Sequence, residues 1–300
     1  MTDIAHHPSG VSAKHRRAGE HNTIGEEMPE IAGHGGSSFF GAIPFLSASR
    51  RNAIYALNAF CSEVDEIANG ESSHALKHAL LSDWRCEIAR LFAGEAQHRL
   101  TRALAAPVFD YDLRCEHFLA VIEGAEMDAR TDIRAPSLEE LDLYCARGAV
   151  ATCLLSMGIL GVETPAAERI AAELGRAVQL TTILRNLAED ADRHRLYLPR
   201  DLLGEHGIFA TTPSSVLAHP ALPHACRDLA ARAEQHYAAA AEIIRDYPVH
   251  AMRAIALALH LHRTTLRALV ARGWQRLDEP VQIPSWRKTA LIFRFGLIGR

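Results

Sequence analysis

The chain has 300 residues, 48% of them apolar and 23% charged, which is enough to bury the core of one large globular unit and excludes general disorder. Lysine and arginine number 32 against 36 aspartate and glutamate, a formal net charge of −4, so bulk charge gives no reason to bind nucleic acid. Single cysteines at 61, 86, 115, 145, 153 and 226, with no CxxC, read as free thiols in a reducing compartment, the cytoplasm by default, rather than a disulfide framework or thiolate zinc site.

Residues 1–36 are rich in Gly, His, Ser and Glu and almost free of aromatics, the composition of a flexible tail that cannot offset the entropy of ordering. Its histidines, His6, His7, His15, His21 and His34, are too irregularly spaced for a metal tract. No apolar h-region precedes the domain, and no uninterrupted run of about 18 apolar residues follows, so neither a signal peptide nor a membrane span is expected. From Ser37 alanine and leucine recur at helical spacing with little β-branched alternation, which predicts an all-α domain over 37–283. Helices are expected near 49–69, 74–93, 98–108, 113–127, 137–161, 165–191, 223–246 and 249–273, with short pieces at 39–46 and 198–204. Breakers agree: Gly70 closes the first long helix, Ser137 with Glu140 forms a capping box after Pro136, Gly161 to Pro165 joins two helices, and Pro248 separates the last two. Residues 284–300 combine Trp286, Phe293, Phe295 and Leu297 with Arg287, Lys288, Arg294 and Arg300. That mixture suits an interfacial helix at a membrane surface and, equally, a terminal segment packed in the domain's own groove.

Two of these helices carry polar stripes. Positions three or four apart share a helix face, so YALNAFCSEVDEIANG aligns Asn58, Ser62, Asp65 and Asn69, and LGRAVQLTTILRNLAED aligns Gln179, Thr182, Asn186 and Asp190. Such a stripe is ordinarily a solvated face. Here both helices are apolar nearly all round, which favours an internal cavity lined by hard oxygen donors. Arg185, Arg193, Arg195 and Tyr197 add cations and a phenol near the end of the second stripe. Acids able to hold a divalent ion beside guanidinium groups suit a diphosphate. Elsewhere His260 and His262, at i and i+2, point to different faces and read as core or cavity polarity. Cys153, with no nearby histidine, reads as a small buried thiol.

The stretches SSFFGAIPFLSASRRNAIYALNAFCSEVDEIANG, FLAVIEGAEMDAR, LEELDLYCARGAV, LGRAVQLTTILRNLAEDADRHRLYLPRDLL and ARGW, in that order, resemble the squalene/phytoene synthase family, the head-to-head prenyl diphosphate synthases, in its bacterial hopanoid branch. The resemblance implies a single-domain isoprenoid synthase fold with two aspartate-rich helices across a deep cavity. It also implies Mg2+-dependent condensation of a farnesyl-type diphosphate to a presqualene- or squalene-type product. Matched position by position, it implies metal-binding roles for Asp65, Asn69, Thr182, Asn186 and Asp190, and diphosphate or substrate contacts for Ser37, Ser38, Asn58, Ser62, Arg185, Arg195 and His262. Tyr144, Tyr197 and Gln179 match cavity residues near the reacting centre. Glu126 and Asp128 of GAEMDAR fall on a family signature, though structural ion pairing explains them equally well.

The chain departs from the family pattern in a consistent way. DEIAN stands where the family has DDxxD, Asn186 replaces the opening aspartate of the second motif, Asn58 and Ser62 replace a tyrosine and an arginine, Thr182 an asparagine, His262 a tyrosine and Cys153 a glycine. Each aspartate-rich motif thus loses one carboxylate while the helix signatures persist. Three readings stay open: the family reaction on a prenyl diphosphate, transfer from a more polar diphosphate, and a non-catalytic homologue. The first two place a diphosphate-bearing small molecule, not nucleic acid, as the first partner to test, the third makes the chain a binding or assembly factor, and the C-terminal segment suits peripheral contact at the inner face of a membrane.

Overall fold

The computed structural model describes residues 46–290 apart from 131–132, 163, 211, 278, 282, 285 and 287–289. Ser37, Ser38, the tail, the short helix expected from residue 39 and nearly all of the basic C-terminal segment lie outside the described residues. Ser47 opens α1 (Ala48–Asn69) by accepting from the Arg50 N–H, and the chain turns extended at Gly70. Ser73 caps α2 (His74–Phe92) in the same way, and α3 (Arg99–Asp110) and α4 (Cys115–Arg130) follow. The capping box at Ser137 and Glu140 is formed and starts α5 (Leu138–Cys145). Beyond it come α6 (Ala151–Leu160), α7 (Thr164–Asp192), α8 (Arg200–Glu205), α9 (Pro213–Leu217), α10 (Leu222–Arg245) and α11 (Val249–Arg272). Among the described residues there is no strand, only an isolated parallel bridge between Arg134 and Leu196. The all-α expectation is met.

Two elements differ from the sequence reading. The helix expected over 137–161 is interrupted by one π-helical turn, Ala146–Val150. Its setting explains it. A Cβ on Gly124 of α4 would lie 3.2 Å from the Gly148 nitrogen, and one on Gly175 of α7 would lie 2.7 Å from the Val150 Cα. The wider turn is wedged against two helices that approach it only because these positions lack side chains. The other addition is α9, whose five residues are too few for a periodicity signal and which is set by Thr212 as cap and Pro213 at its first turn.

The helices enclose two apolar cores. One joins α1 to α4, where Phe60 meets Trp84 and Phe118 edge to face at 5.3 and 5.4 Å. The other joins α7, α10 and α11 around Leu174, Leu184, Tyr237 and Trp274. The sixth helix serves both: Ala151, Leu155 and Ile159 fill the first core, and Cys153, Met157 and Leu160 the second. That double duty makes the span Leu138–Leu160 apolar enough, by length and composition, to cross a membrane. Cys153 is buried and its thiol is pushed up to about 12 by that burial, as are Cys145 and Cys226, so the thiol stays protonated. The six cysteines are free.

A polar joint holds the first core. Buried Glu87 accepts from the N–H groups of Gln97 (2.7 Å) and His98 (2.6 Å) and from the Thr101 hydroxyl (2.5 Å), and its other oxygen takes Arg90 Nε at 2.8 Å. Burial alone would raise this carboxyl, but the donors outweigh it and hold it at about 2. They satisfy the orphan amides at the start of α3.

Candidate functional site

The two striped helices belong to different cores, α1 to the first and α7 to the second, and the loop after α7 links them through Arg195, which reaches the end of α1. Rotation along α7 sorts its threonines. Thr181 is buried and turned to the core, donating to the Ala177 carbonyl and meeting the Tyr237 hydroxyl at 3.0 Å. Thr182, one position and about 100° further round, is half-buried on the other side with Gln179 and Asn186. On α1, Ser62 is half-buried and Asn58 is 6% exposed, with its Nδ2 lacking a hydrogen-bond partner among the described residues.

Backbone pairing then brings in the loop after α7. His194 takes a left-handed conformation (φ 60°) and reverses the chain. The Leu196 N–H donates to the Ile133 carbonyl at 2.7 Å, and the Ala135 N–H donates to the Leu196 carbonyl at 2.8 Å. This stitch between the α4–α5 and α7–α8 connections sets Tyr197 against Asp128, its hydroxyl donating to Oδ1 at 2.6 Å, while the Tyr144 hydroxyl donates to Oδ2 at 3.0 Å. The two phenol rings stack at 5.2 Å. Arg195, 7% exposed, donates from Nη2 to the Ala68 carbonyl at 2.9 Å and the Asp128 carbonyl at 3.3 Å, and from Nη1 to the Asn69 side-chain oxygen. Lys77 also reaches the Ala68 carbonyl, at 2.9 Å.

Electrostatics tie these groups into one site. Water reaches Asp65, yet the protein crowding it and the nearby Asp128 charge raise its carboxyl to about 7 against the pull of Arg195. Asp190, half-buried on the opposite helix, is raised to about 7 by burial, Glu189 and Asp128, with Arg193 and Arg195 opposing. Asp128, 9% exposed, is raised by burial and restrained by the Tyr197 hydrogen bond, Arg195, Tyr144 and Lys77. Burial first, then Asp128, pushes both phenols upward, so Tyr144 and Tyr197 remain neutral donors.

The structure therefore gathers Asp65, Asn69, Asp190, Arg195, Tyr144 and Tyr197 from the sequence-predicted set around a residue that sequence reasoning left undecided, Asp128. The two acids of GAEMDAR divide: Glu126 makes a two-point ion pair with Arg85 at 2.8 and 2.9 Å, and Asp128 belongs to the site. Both acids lie on the buried face of α4 with Phe118, Val121, Ile122 and Ala125, so helical spacing marks the pair as costly to bury and only their partners tell them apart. Lys77 was also missed. Arg185 is exposed and donates from Nε to Asn186 at 3.0 Å. His262 is half-buried on α11, which packs on α10 and α7. A polar depression of about 550 Å³ between α7 and α10, lined among others by Arg169, Glu173, Glu242 and Arg245, contains none of these groups.

Among the described residues no three His, Cys, Asp or Glu side chains form a ready-made metal cage. The donor set nevertheless fits a hard divalent cation. Asp65 and Asp190 are oxygen donors whose charge the local cations leave undercompensated, and magnesium is commonly held by one or two carboxylates completed by phosphate and water.

The squalene/phytoene synthase family model matches residues 32–287. The chain is similar to the presqualene diphosphate synthase of Sinorhizobium fredii, 40% identical over 263 residues, covering 88% of this chain and 94% of the relative. To that of Rhodopseudomonas palustris it is 38% identical over 274 residues, covering 90% and 98%. Among solved structures it matches a dehydrosqualene synthase in complex with ligand at a TM-score of 0.75 and 22% identity, covering 91% of this chain and 96% of the other. A squalene synthase from Alicyclobacillus acidocaldarius matches at 0.71 and 24%, covering 86% and 95%. These likenesses establish the isoprenoid synthase fold, and with the family match over most of its length the chain belongs to the squalene/phytoene synthase family.

Proposed function

We propose that the protein is a magnesium-dependent prenyl transferase that joins two farnesyl-type diphosphates head to head, releasing one diphosphate and one proton, to give a presqualene-type diphosphate; a squalene-type product would further require loss of the second diphosphate and a hydride donor. The carrying observation is that Asp128 is electrostatically coupled both to Asp65 on α1 and to Asp190 on α7, in a chain about 40% identical to presqualene diphosphate synthases. Asp65 and Asp190 are the residues that would hold the metal, one from each striped helix. Bound magnesium supplies Lewis-acid polarisation of the departing diphosphate. Asp128 fixes Tyr144 and Tyr197 by accepting both hydroxyls, so the stacked phenols offer aromatic faces and no phenolate to trap an allylic cation. The apolar cores on either side limit water near such a cation. The basic, aromatic C-terminal segment suits release of a lipid product at an anionic membrane surface.

A second reading, transfer from a more polar diphosphate, draws on Asn58, whose buried Nδ2 has no partner among the described residues and would suit an oxygen of the ligand. One experiment separates the two. Isothermal titration with farnesyl diphosphate, with and without magnesium, is followed by mass spectrometry of the incubated mixture. The first reading expects magnesium-dependent binding and a coupled product. Absence of binding refutes it, and heat protection by another diphosphate instead supports the second.

A further inference from the structure

We propose that Arg195 is a built-in cation of this site and that Asn69 is the residue that positions it, not a metal ligand. The inference rests on the function proposed above. The Arg195 guanidinium is turned inward: its Nη atoms are engaged by the Ala68 carbonyl, the Asn69 side chain and the Asp128 carbonyl. It thereby joins the end of α1 to the end of α4. Its charge bears on Asp65, Asp128 and Asp190 together, as a resident cation would.

The identity of residue 69 follows from that task. An aspartate there would pair with the guanidinium and cancel the charge the three carboxylates share. An asparagine accepts the same hydrogen bond and leaves the charge intact. Asn186 repeats the arrangement, its oxygen accepting from Arg185 at 3.0 Å. The amides that replace carboxylates in both motifs are thus arginine acceptors, and Asp65 and Asp190 remain to face a metal.

Mn2+ binding to the full chain, followed by electron paramagnetic resonance without diphosphate, tests this with Asp65→Asn, Asn69→Ala and Arg195→Met. Removing Asp65 should weaken Mn2+ at least tenfold. Asn69→Ala should shift the affinity less than threefold, and Arg195→Met, by removing a competing cation, should strengthen it at least threefold. Weakening by threefold or more in Asn69→Ala, or no strengthening in Arg195→Met, overturns the inference. Should Arg195→Met fail to fold, Arg195→Gln removes the charge while retaining an amide donor. Thermal unfolding of Asn69→Ala, the arginine variant and the double variant completes the test, because a positioning residue loses its effect once the arginine is gone; additive losses overturn the role of Asn69. If the wild type binds no Mn2+, the metal-dependent function fails instead, while the unfolding cycle still reads the coupling of Asn69 to Arg195.

Discussion

Raising the pH of the metal-free protein from about 5.5 to about 8 should destabilise it, the reverse of what paired carboxylates do. Asp65 and Asp190 titrate at about 7 in the folded chain against an ordinary 3.8. Between those values the folded state binds protons that the unfolded state has released, so stability is lost as pH rises through 7. Of the shift of about three units, about 1.5 fall between pH 5.5 and 7, which corresponds to about 2 kcal/mol for one fully enclosed group. Asp65 is exposed and Asp190 half-buried, and solvent screening reduces the joint effect to about 1–2 kcal/mol. For a chain of this size that is a fall of about 2–3 °C in melting temperature. The assay is calorimetry across the pH range on wild type and on Asp65→Asn/Asp190→Asn, which removes both titrations and leaves the histidines in place. Millimolar magnesium should protect the wild type strongly at the alkaline end and little at the acid end, because the ion competes with the same protons. Parallel pH profiles for wild type and double variant would refute the assignment of the two carboxyls to one undercompensated cluster.

Three further perturbations test the framework. Glu87→Gln should cost about 1–3 kcal/mol in urea unfolding at neutral pH; since folding holds Glu87 at about 2, its contribution is present above the ordinary carboxyl value and lost as pH falls, so the two curves should converge in acid. Gly175→Ala should destabilise by about 1–3 kcal/mol, because the new Cβ lies 2.7 Å from the Val150 Cα, whereas Gly148→Ala, whose Cβ meets nothing within 4 Å, should be tolerated; equal melting temperatures would contradict the wedged π turn. Tyr197→Phe removes the 2.6 Å donor to Asp128 and should cost about 1–3 kcal/mol, visible as a lower denaturation midpoint at unchanged slope, and no change would mean Asp128 is held by Tyr144 and Arg195 alone.

Much of this molecule was determined by local sequence. Helix limits at Gly70, the Ser137–Glu140 capping box, Gly161 and Pro248 depend on backbone preferences and side-chain reach within a few residues, and such terms act before any long-range contact forms. The stripes carrying Asp65 and Asp190 likewise follow from helical spacing alone. Tertiary structure decided what those stripes face and which groups complete them. Asp128 joins the site through hydroxyls 16 and 69 positions away, and Arg195 finds Asn69 across 126. No periodicity encodes such pairs, and the ion-pair partner Glu126, two residues from Asp128, looks the same in sequence. The π turn depends on glycines in two other helices, and the acidity of Asp65 on charges arriving from α4 and the loop after α7. Local chemistry sets the helices and their polar faces, whereas the protonation and partners of the site depend on distances between segments remote in sequence, which only the packed chain fixes.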